Sequence, residues 1–174
     1  GAAIHPETAW RTIRYAVRQL APGDSLEIAA GDYPESISIQ SAGVRLFGSR
    51  TPGATRLLPP SGELGISIEG HDNVVIESLT IEGGAQSLKA VDTTGLRIRQ
   101  VASVNAETTG LKVEDSSDVW VDSSVVTDAN QTGLLLLRSD QIFLRNNRIY
   151  TNGGWGISID NETGSEAKPI LPIS

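Results

Sequence analysis

A glycine returns every 23 residues in the second half of this chain, each time followed by an apolar–x–apolar triplet. Gly110, Gly133 and Gly156 open Leu111-Lys112-Val113, Leu134-Leu135-Leu136 and Ile157-Ser158-Ile159. A second register holds Val74-Val75-Ile76, Leu96-Arg97-Ile98, Val119-Trp120-Val121 and Ile142-Phe143-Leu144, advancing by 22, 23 and 23 residues. Leu79, Val101, Ser124 and Asn147 form a third register with the same steps. Three short alternating segments locked in phase predict stacked coils, each burying its apolar side against its neighbours. Strand side chains switch faces at every residue, so Leu111 and Val113 point inward and Lys112 outward. Coils one strand spacing apart, ~4.8 Å, bring residues one period apart into contact. Inward ladders are therefore expected from Leu111, Leu134 and Ile157, and from Ile76, Ile98, Val121 and Leu144. The third register falls at a sharp corner, Arg145-Asn146-Asn147-Arg148, where asparagine tolerates left-handed dihedrals. Asn147 is expected to bond backbone groups of the coil below, where Ser124 stands; both are read as structural.

The opening is different. From Thr8 to Leu20, Trp10, Ile13, Val17 and Leu20 make one stripe of an amphipathic helix, stopped by Ala21-Pro22-Gly23-Asp24. A helix ahead of a solenoid covers the apolar end and unpaired strand groups of the first coil. Residues 25–64 read as irregular first coils. They carry strands at 25–28, 37–39 and 44–47, a turn at Gly31-Asp32-Tyr33-Pro34, and a loop at 49–63 marked by Pro52, Pro59 and Pro60. Residues 65–160 hold about four regular coils and 161–174 a tail, all within a single all-β domain, 1–174.

With 21 acidic against 14 basic residues, the net charge of −7 argues against nucleic acid as a partner. No apolar run reaches spanning length, so no membrane insertion is expected. The chain lacks cysteine and methionine, shows no signal peptide, and reads as a processed piece. His5 and His71 are its two histidines, and His71, in a polar turn, is expected to be solvated. Asn130-Gln131-Thr132 and Asn161-Glu162-Thr163 match the glycosylation sequon, a pattern common by chance.

Trp10-Arg11-Thr12-Ile13 through Ala21-Pro22-Gly23-Asp24, then Leu26-Glu27-Ile28, then Gly31-Asp32-Tyr33-Pro34, resembles the N-terminal signature of right-handed parallel β-helix proteins. Asn146-Asn147-Arg148-Ile149 and Asn152-Gly153-Gly154-Trp155-Gly156-Ile157 resemble the coils of the same pectate-lyase-like superfamily, including its NosD-like periplasmic members. The resemblance implies a right-handed parallel β-helix with an N-terminal capping helix, and a secreted, periplasmic or cell-surface location. A leucine-rich repeat would also accept Ile142-x-Leu144-x-x-Asn147, but it has one strand per period and no second glycine-led segment in phase. A left-handed β-helix needs a hexapeptide repeat, which is missing.

The superfamily's chemistry is varied, and its motifs test this chain. The polygalacturonase set Asn-Thr-Asp, Asp-Asp, Gly-His-Gly and Arg-Ile-Lys is absent, as is the Asp-Pro-His-Asp of alginate epimerases. A copper site would want several His, Cys or Met ligands, which this chain lacks. The resemblance places a polysaccharide cleft along the sheet of 65–68, 88–91, 111–113, 134–137 and 157–159, with Ser67, Lys89, Lys112, Leu135 and Ser158 outward. Lyase chemistry needs a base to take the proton α to a uronate carboxyl and a cation to neutralise that carboxylate. Lys89 or Lys112 is the candidate catalytic base, and Asp92, Glu114 and Asp115 are candidate calcium ligands. The plainer reading is a solvated face of alternating charges. Leu135 and Leu137 count against a polar cleft. On the next sheet Trp120 and Phe143 stack outside, one coil apart; with Trp155 they are candidate glycan contacts, or a surface covered by the tail or a partner.

The reading that follows is a non-catalytic or carbohydrate-contacting β-helix module that requires no cofactor. The alternative is a calcium-assisted lyase acting on an acidic polysaccharide. End-to-end or side-face self-association is expected where a coil end stays uncovered.

Overall fold

The periodic segments close into a solenoid in a computed structural model, which describes residues 12–160. Eighteen short strands fall into three parallel six-stranded sheets, and successive strands in each sheet come from successive coils. Sheet A stacks Ser25–Glu27, Arg45–Phe47, Val75–Glu77, Arg97–Arg99, Ser117–Asp122 and Asp140–Arg145. Sheet B stacks Gly31–Tyr33, Thr55–Leu57, Thr80–Glu82, Ala102–Val104, Val125–Thr127 and Arg148–Tyr150. Sheet C stacks Ile37–Ser38, Leu64–Glu69, Gln86–Val91, Thr109–Glu114, Leu134–Leu137 and Ile157–Asp160. Each coil visits A, B and C in turn, giving six coils of a parallel β-solenoid among the described residues.

Register follows the sequence periods. Leu88, Leu111, Leu134 and Ile157 pair in one column, and Ile76, Ile98, Val121 and Leu144 in another. The columns form a single apolar core running from Ile13 to Leu136. Burial of these aliphatic side chains is the main favourable term in the fold.

Two expectations for the early chain are corrected. Gly31-Asp32-Tyr33 is a strand, not a turn, and the 49–63 loop contains the strand Thr55–Leu57; the two pair with each other in sheet B. Tertiary pairing overrides the local turn signal of glycine and proline. The coils before residue 65 are therefore full members of the stack but off its period: 20 residues separate the paired Leu26 and Leu46, and 30 separate Leu46 and Ile76. Of the expected 8–20 helix, the described residues show Ile13–Arg18. Thr12 is its N-cap, with extended dihedrals and its hydroxyl accepting from Tyr15 N–H at 3.2 Å. The Glu35 carboxylate accepts from the next free amides, Ile13 at 3.1 Å and Arg14 at 2.9 Å, which ties the helix to the first coil. Ile13, Ala16, Val17 and Leu20 are buried against that coil. Trp10, the first member of the stripe, and the 161–174 tail lie outside the described residues.

Corners repeat as faithfully as strands. Ser78, Gln100, Ser123 and Asn146 occupy the A-to-B corner, all with positive φ of 51–55°. Behind them, Ser124 N–H donates to Asn147 Oδ1 at 2.9 Å while Asn147 Nδ2 donates to Val121 O at 2.7 Å. One coil earlier Ser124 Oγ accepts from Val101 N–H at 3.2 Å. Thr93, Ser116 and Ser139 do the same at the C-to-A corner, where Thr93 and Ser116 amides donate to the hydroxyl one coil on at 3.1 Å. These inward polar residues satisfy corner amides that no strand can reach.

Candidate functional site

Sheet C carries the candidate site on its outer face. Ser38, Ser67, Lys89, Lys112 and Leu135 form one outward column because each is flanked by buried neighbours of the strand pattern, and Ser158 continues it in register. The column begins in a groove of about 440 Å³ between the helix and the sheet, lined by Arg14, Arg18, Ser36, Ser38, Gln40 and Ser67 among others. Ser36 Oγ donates to Glu63 Oε2 at 2.6 Å and Arg14 Nε donates to Ser36 O at 3.1 Å, so the groove wall is held in place. Further along, Lys89 stands directly below Lys112.

The two lysines differ in their surroundings. Lys112 Nζ pairs with Glu114 Oε2 at 2.9 Å, both side chains being 19% exposed. Lys89 has no hydrogen-bond or ion-pair partner among the described residues. Glu114 is shared: Arg138 also donates to its Oε1, and Arg138 takes Asp115 through Nε–Oδ1 at 2.7 Å and Nη2–Oδ2 at 2.9 Å. Bonds from Lys112 first, then Arg138, hold the Glu114 carboxyl below the ordinary glutamate range. The Arg138 fork does the same for Asp115. Glu114 and Asp115 are thus committed to cations within the chain. Asp92 sits at the same corner as Asp115, one coil below, with the same left-handed backbone (φ 52° and 48°). Among the described residues no three acidic or histidine side chains gather closely enough to hold a metal ion.

Arg138 escaped the sequence reading although a signal was present. It lies one period after Asp115 and two after Asp92, so it occupies the same corner column. A pH effect follows from its bonds. A carboxylate whose pKa is depressed on folding adds stability above its unfolded value, which is lost as pH falls through the folded one. Stability is expected to drop as pH falls below the ordinary values of 4.5 for Glu114 and 3.8 for Asp115. Arg138→Ala removes the fork, so its melting temperature should fall less steeply between neutral pH and about pH 3. Parallel profiles for the two proteins would refute this account.

On sheet A, Trp120 and Phe143 stack with centroids 4.2 Å apart at 21°. The Arg97 guanidinium lies 5.5 Å from the Trp120 centroid on the column's other side. Asp118 organises the group: it accepts Trp120 Nε1–H at 2.9 Å and Arg97 Nη2–H at 2.8 Å, with Arg97 first and Trp120 second holding its carboxyl low. Arg97 and Phe143 thus flank Trp120 along the stack, and its indole N–H is satisfied. A sugar stacks on an aromatic face, whereas this ladder turns ring edges to solvent. Trp155 is different, 73% exposed at the last described coil. It follows Gly153 and Gly154, where an added Cβ would stand 2.3 Å from Asn130 O and 2.8 Å from Gln131 O.

The family model for the right handed beta helix region matches residues 64–168. A search of curated proteins finds no match. Among solved structures, the chain is similar to one described as Geobacillus virus E2 ORF18, at 17% identity and TM-score 0.62, over 81% of this chain and 35% of that one. It is also similar to an alginate lyase from Paenibacillus sp. str. FPU-7, at 13% identity and TM-score 0.63, over 86% of this chain and 62% of that one. The chain therefore spans less than two thirds of either structure, and at these identities the likeness concerns the fold. Three phased parallel sheets and a family match over more than half the residues lead to one assignment: the chain belongs to the right-handed β-helix family.

Proposed function

We propose that this chain is a non-catalytic, carbohydrate-contacting β-helix module of a secreted or cell-surface protein, with the outer face of sheet C as its contact surface. One observation carries the reading: the Ser38–Ser67–Lys89–Lys112 column continues from the groove beneath the helix, and the Lys89 ammonium has no acidic partner among the described residues. Hydroxyls and a free cation along a shallow strip suit a hydroxylated, carboxylate-bearing polymer. Lys112, Glu114, Asp115 and Arg138 neutralise one another at the far side, and Leu135 ends the strip. The net charge of −7 repels a polyanion at long range, so contact depends on local charges and weakens with salt.

A second reading has its own support. Lys89 could take the proton α to a uronate carboxyl in a calcium-assisted lyase, and one structural neighbour is an alginate lyase. The test separates the two. Electrophoresis through gels containing polygalacturonate or alginate should retard the protein, and Lys89→Ala should weaken retention by about 10-fold or more, the worth of one charge-assisted hydrogen bond. Assays with and without calcium should show no new unsaturated or reducing ends. Calcium-dependent cleavage lost in Lys89→Ala would establish the lyase instead, and absence of both retention and cleavage would reject sheet C as a glycan surface.

A further inference from the structure

A second groove lies on another face, at the corner between sheets A and B, and owes nothing to the sheet C reading. Its wall is the segment that follows Phe47. Thr51-Pro52-Gly53-Ala54 is a tight turn closed by Ala54 N–H to Thr51 O at 3.1 Å. Proline at the second position and Gly53 at φ 75° in the third are the requirements of a type II turn. The turn's base is pinned: Ser49 N–H donates to Thr55 Oγ1 at 2.9 Å and Thr51 N–H to Ser49 Oγ at 3.2 Å. At Gly48 a Cβ would meet Ser78 O at 2.3 Å, so the segment leaves the sheet flush against the next coil. The wall is preorganised.

The floor and rim come from three successive coils. Thr80, Ala102 and Val125 pair in one outward column of sheet B and present a flat strip of small side chains. Beside them runs the left-handed corner column Ser78, Gln100 and Ser123. Ser78 Oγ donates to Gln100 Oε1 at 3.1 Å, which fixes the amide and leaves its NH₂ group free to donate. Ser123 Oγ and the Arg50 guanidinium have no partner among the described residues. The backbone amides of the corner column are spent, since Ser78, Gln100 and Ser123 N–H groups donate to Arg99, Asp122 and Arg145 carbonyls at 3.0, 3.1 and 2.9 Å. The groove holds about 300 Å³, at the lower end of ligand sites, ~300–1,000 Å³. In a chain with 21 acidic residues, no carboxylate lines it and one arginine does.

These features choose between ligands. A phosphate or sulfate is held by clustered cations or by a cluster of free backbone amides, and this groove offers one cation while its corner amides are spent. An apolar peptide would leave the side-chain donors unpaired. A sugar ring carrying one carboxylate fits each element: its C–H face lies on Thr80, Ala102 and Val125, its hydroxyls meet Gln100 and Ser123, and its carboxylate meets Arg50. We propose that this corner groove is a binding site for a single acidic sugar unit.

The test is an NMR titration of the full chain with sodium glucuronate, with glucose and sodium sulfate as separate arms. Saturable shifts of the Gln100 side-chain amide and the Arg50 Nε–H are expected with glucuronate, at an affinity at least 5-fold above that for glucose. Arg50→Ala should erase that preference and Gln100→Ala should weaken binding of both sugars. Ala102→Leu, which fills the floor, should abolish both while the remaining amide spectrum superimposes. Lys89→Ala should leave the titration unchanged, so this site and sheet C stand or fall separately. No saturable shift at Gln100 and Arg50, or equal binding of sulfate and glucuronate, would overturn the proposal. So would a titration indifferent to Arg50→Ala and Gln100→Ala, variants that leave the buried core intact.

Discussion

Gly110→Ala is expected to destabilise the stack by about 3 kcal/mol, although it adds a single methyl group. The Cβ would stand 2.5 Å from Val126 Cγ1, 2.7 Å from Gly133 O and 2.9 Å from Ser103 Oγ. Gly133 O cannot retreat cheaply, because it accepts the Leu111 amide at 2.9 Å. Its column explains the 23-residue glycine. Gly65, Ser87, Gly110 and Gly133 lie one above another at the start of the sheet C segments, where the chain turns in from sheet B. Gly65, Gly110 and Gly133 each face a β-branched residue of sheet B, Ile81, Val126 and Ile149. At Ser87 the facing residue is Ser103, and the two hydroxyls bond at 2.8 Å. Space at this corner is thus shared between two columns, and a side chain on one requires a small partner on the other. Urea unfolding of Gly110→Ala, Val126→Ala and the double variant tests this. The Val126→Ala cost should shrink in the Gly110→Ala background, and additive costs, or an unchanged midpoint for Gly110→Ala, would rule the explanation out.

What is legible in the sequence follows from where information repeats. Columns such as Leu88–Leu111–Leu134–Ile157 state the same physical requirement four times, so phase, face and pairing can be read from the residues alone. The first two coils repeat it off the period, the first shorter and the second longer, and there the strands Gly31–Tyr33 and Thr55–Leu57 hide behind turn-forming residues. Pairing makes them strands: Gly31–Tyr33 pairs with Thr55–Leu57, which pairs on its other side with Thr80–Glu82. The candidate site is half legible. The stacking of Lys89 on Lys112, and of Trp120 on Phe143, is visible from the period. The commitment of Glu114 and Asp115 to Arg138 is not, because the approach of a long side chain across a corner depends on left-handed backbone at Asp115 and Arg138. Nor does periodicity say that stacked rings turn their edges outward. That follows from the direction of the stack: rings in register along the solenoid axis face one another.

Leu111→Ala is expected to cost about 3–4 kcal/mol, and more than the same deletion at the end of its column. Leu111 is fully buried, held between Leu88 below and Leu134 above. Truncation opens a cavity against both neighbours, and a stack whose strands hydrogen-bond above and below has little freedom to collapse into it. Ile157, in the same column at the last described coil, is 44% exposed, so Ile157→Ala should cost under about 1.5 kcal/mol. A further consequence separates this fold from a globular core. Coils touch only their neighbours, so stability is a sum of coil and interface terms, and a weak interior interface divides the stack. In Leu111→Ala the coils after residue 114 should lose their tie to those before it. In a Trp10→Phe background the remaining tryptophans, Trp120 and Trp155, report from that side, whereas far-ultraviolet circular dichroism reports from all six coils. The fluorescence transition in urea should therefore precede the circular dichroism transition in Leu111→Ala and coincide with it in the parent chain. Coincident transitions in the variant would mean that the stack unfolds as one unit through this interface, and equal costs at Leu111 and Ile157 would mean that position along the column does not set the cost.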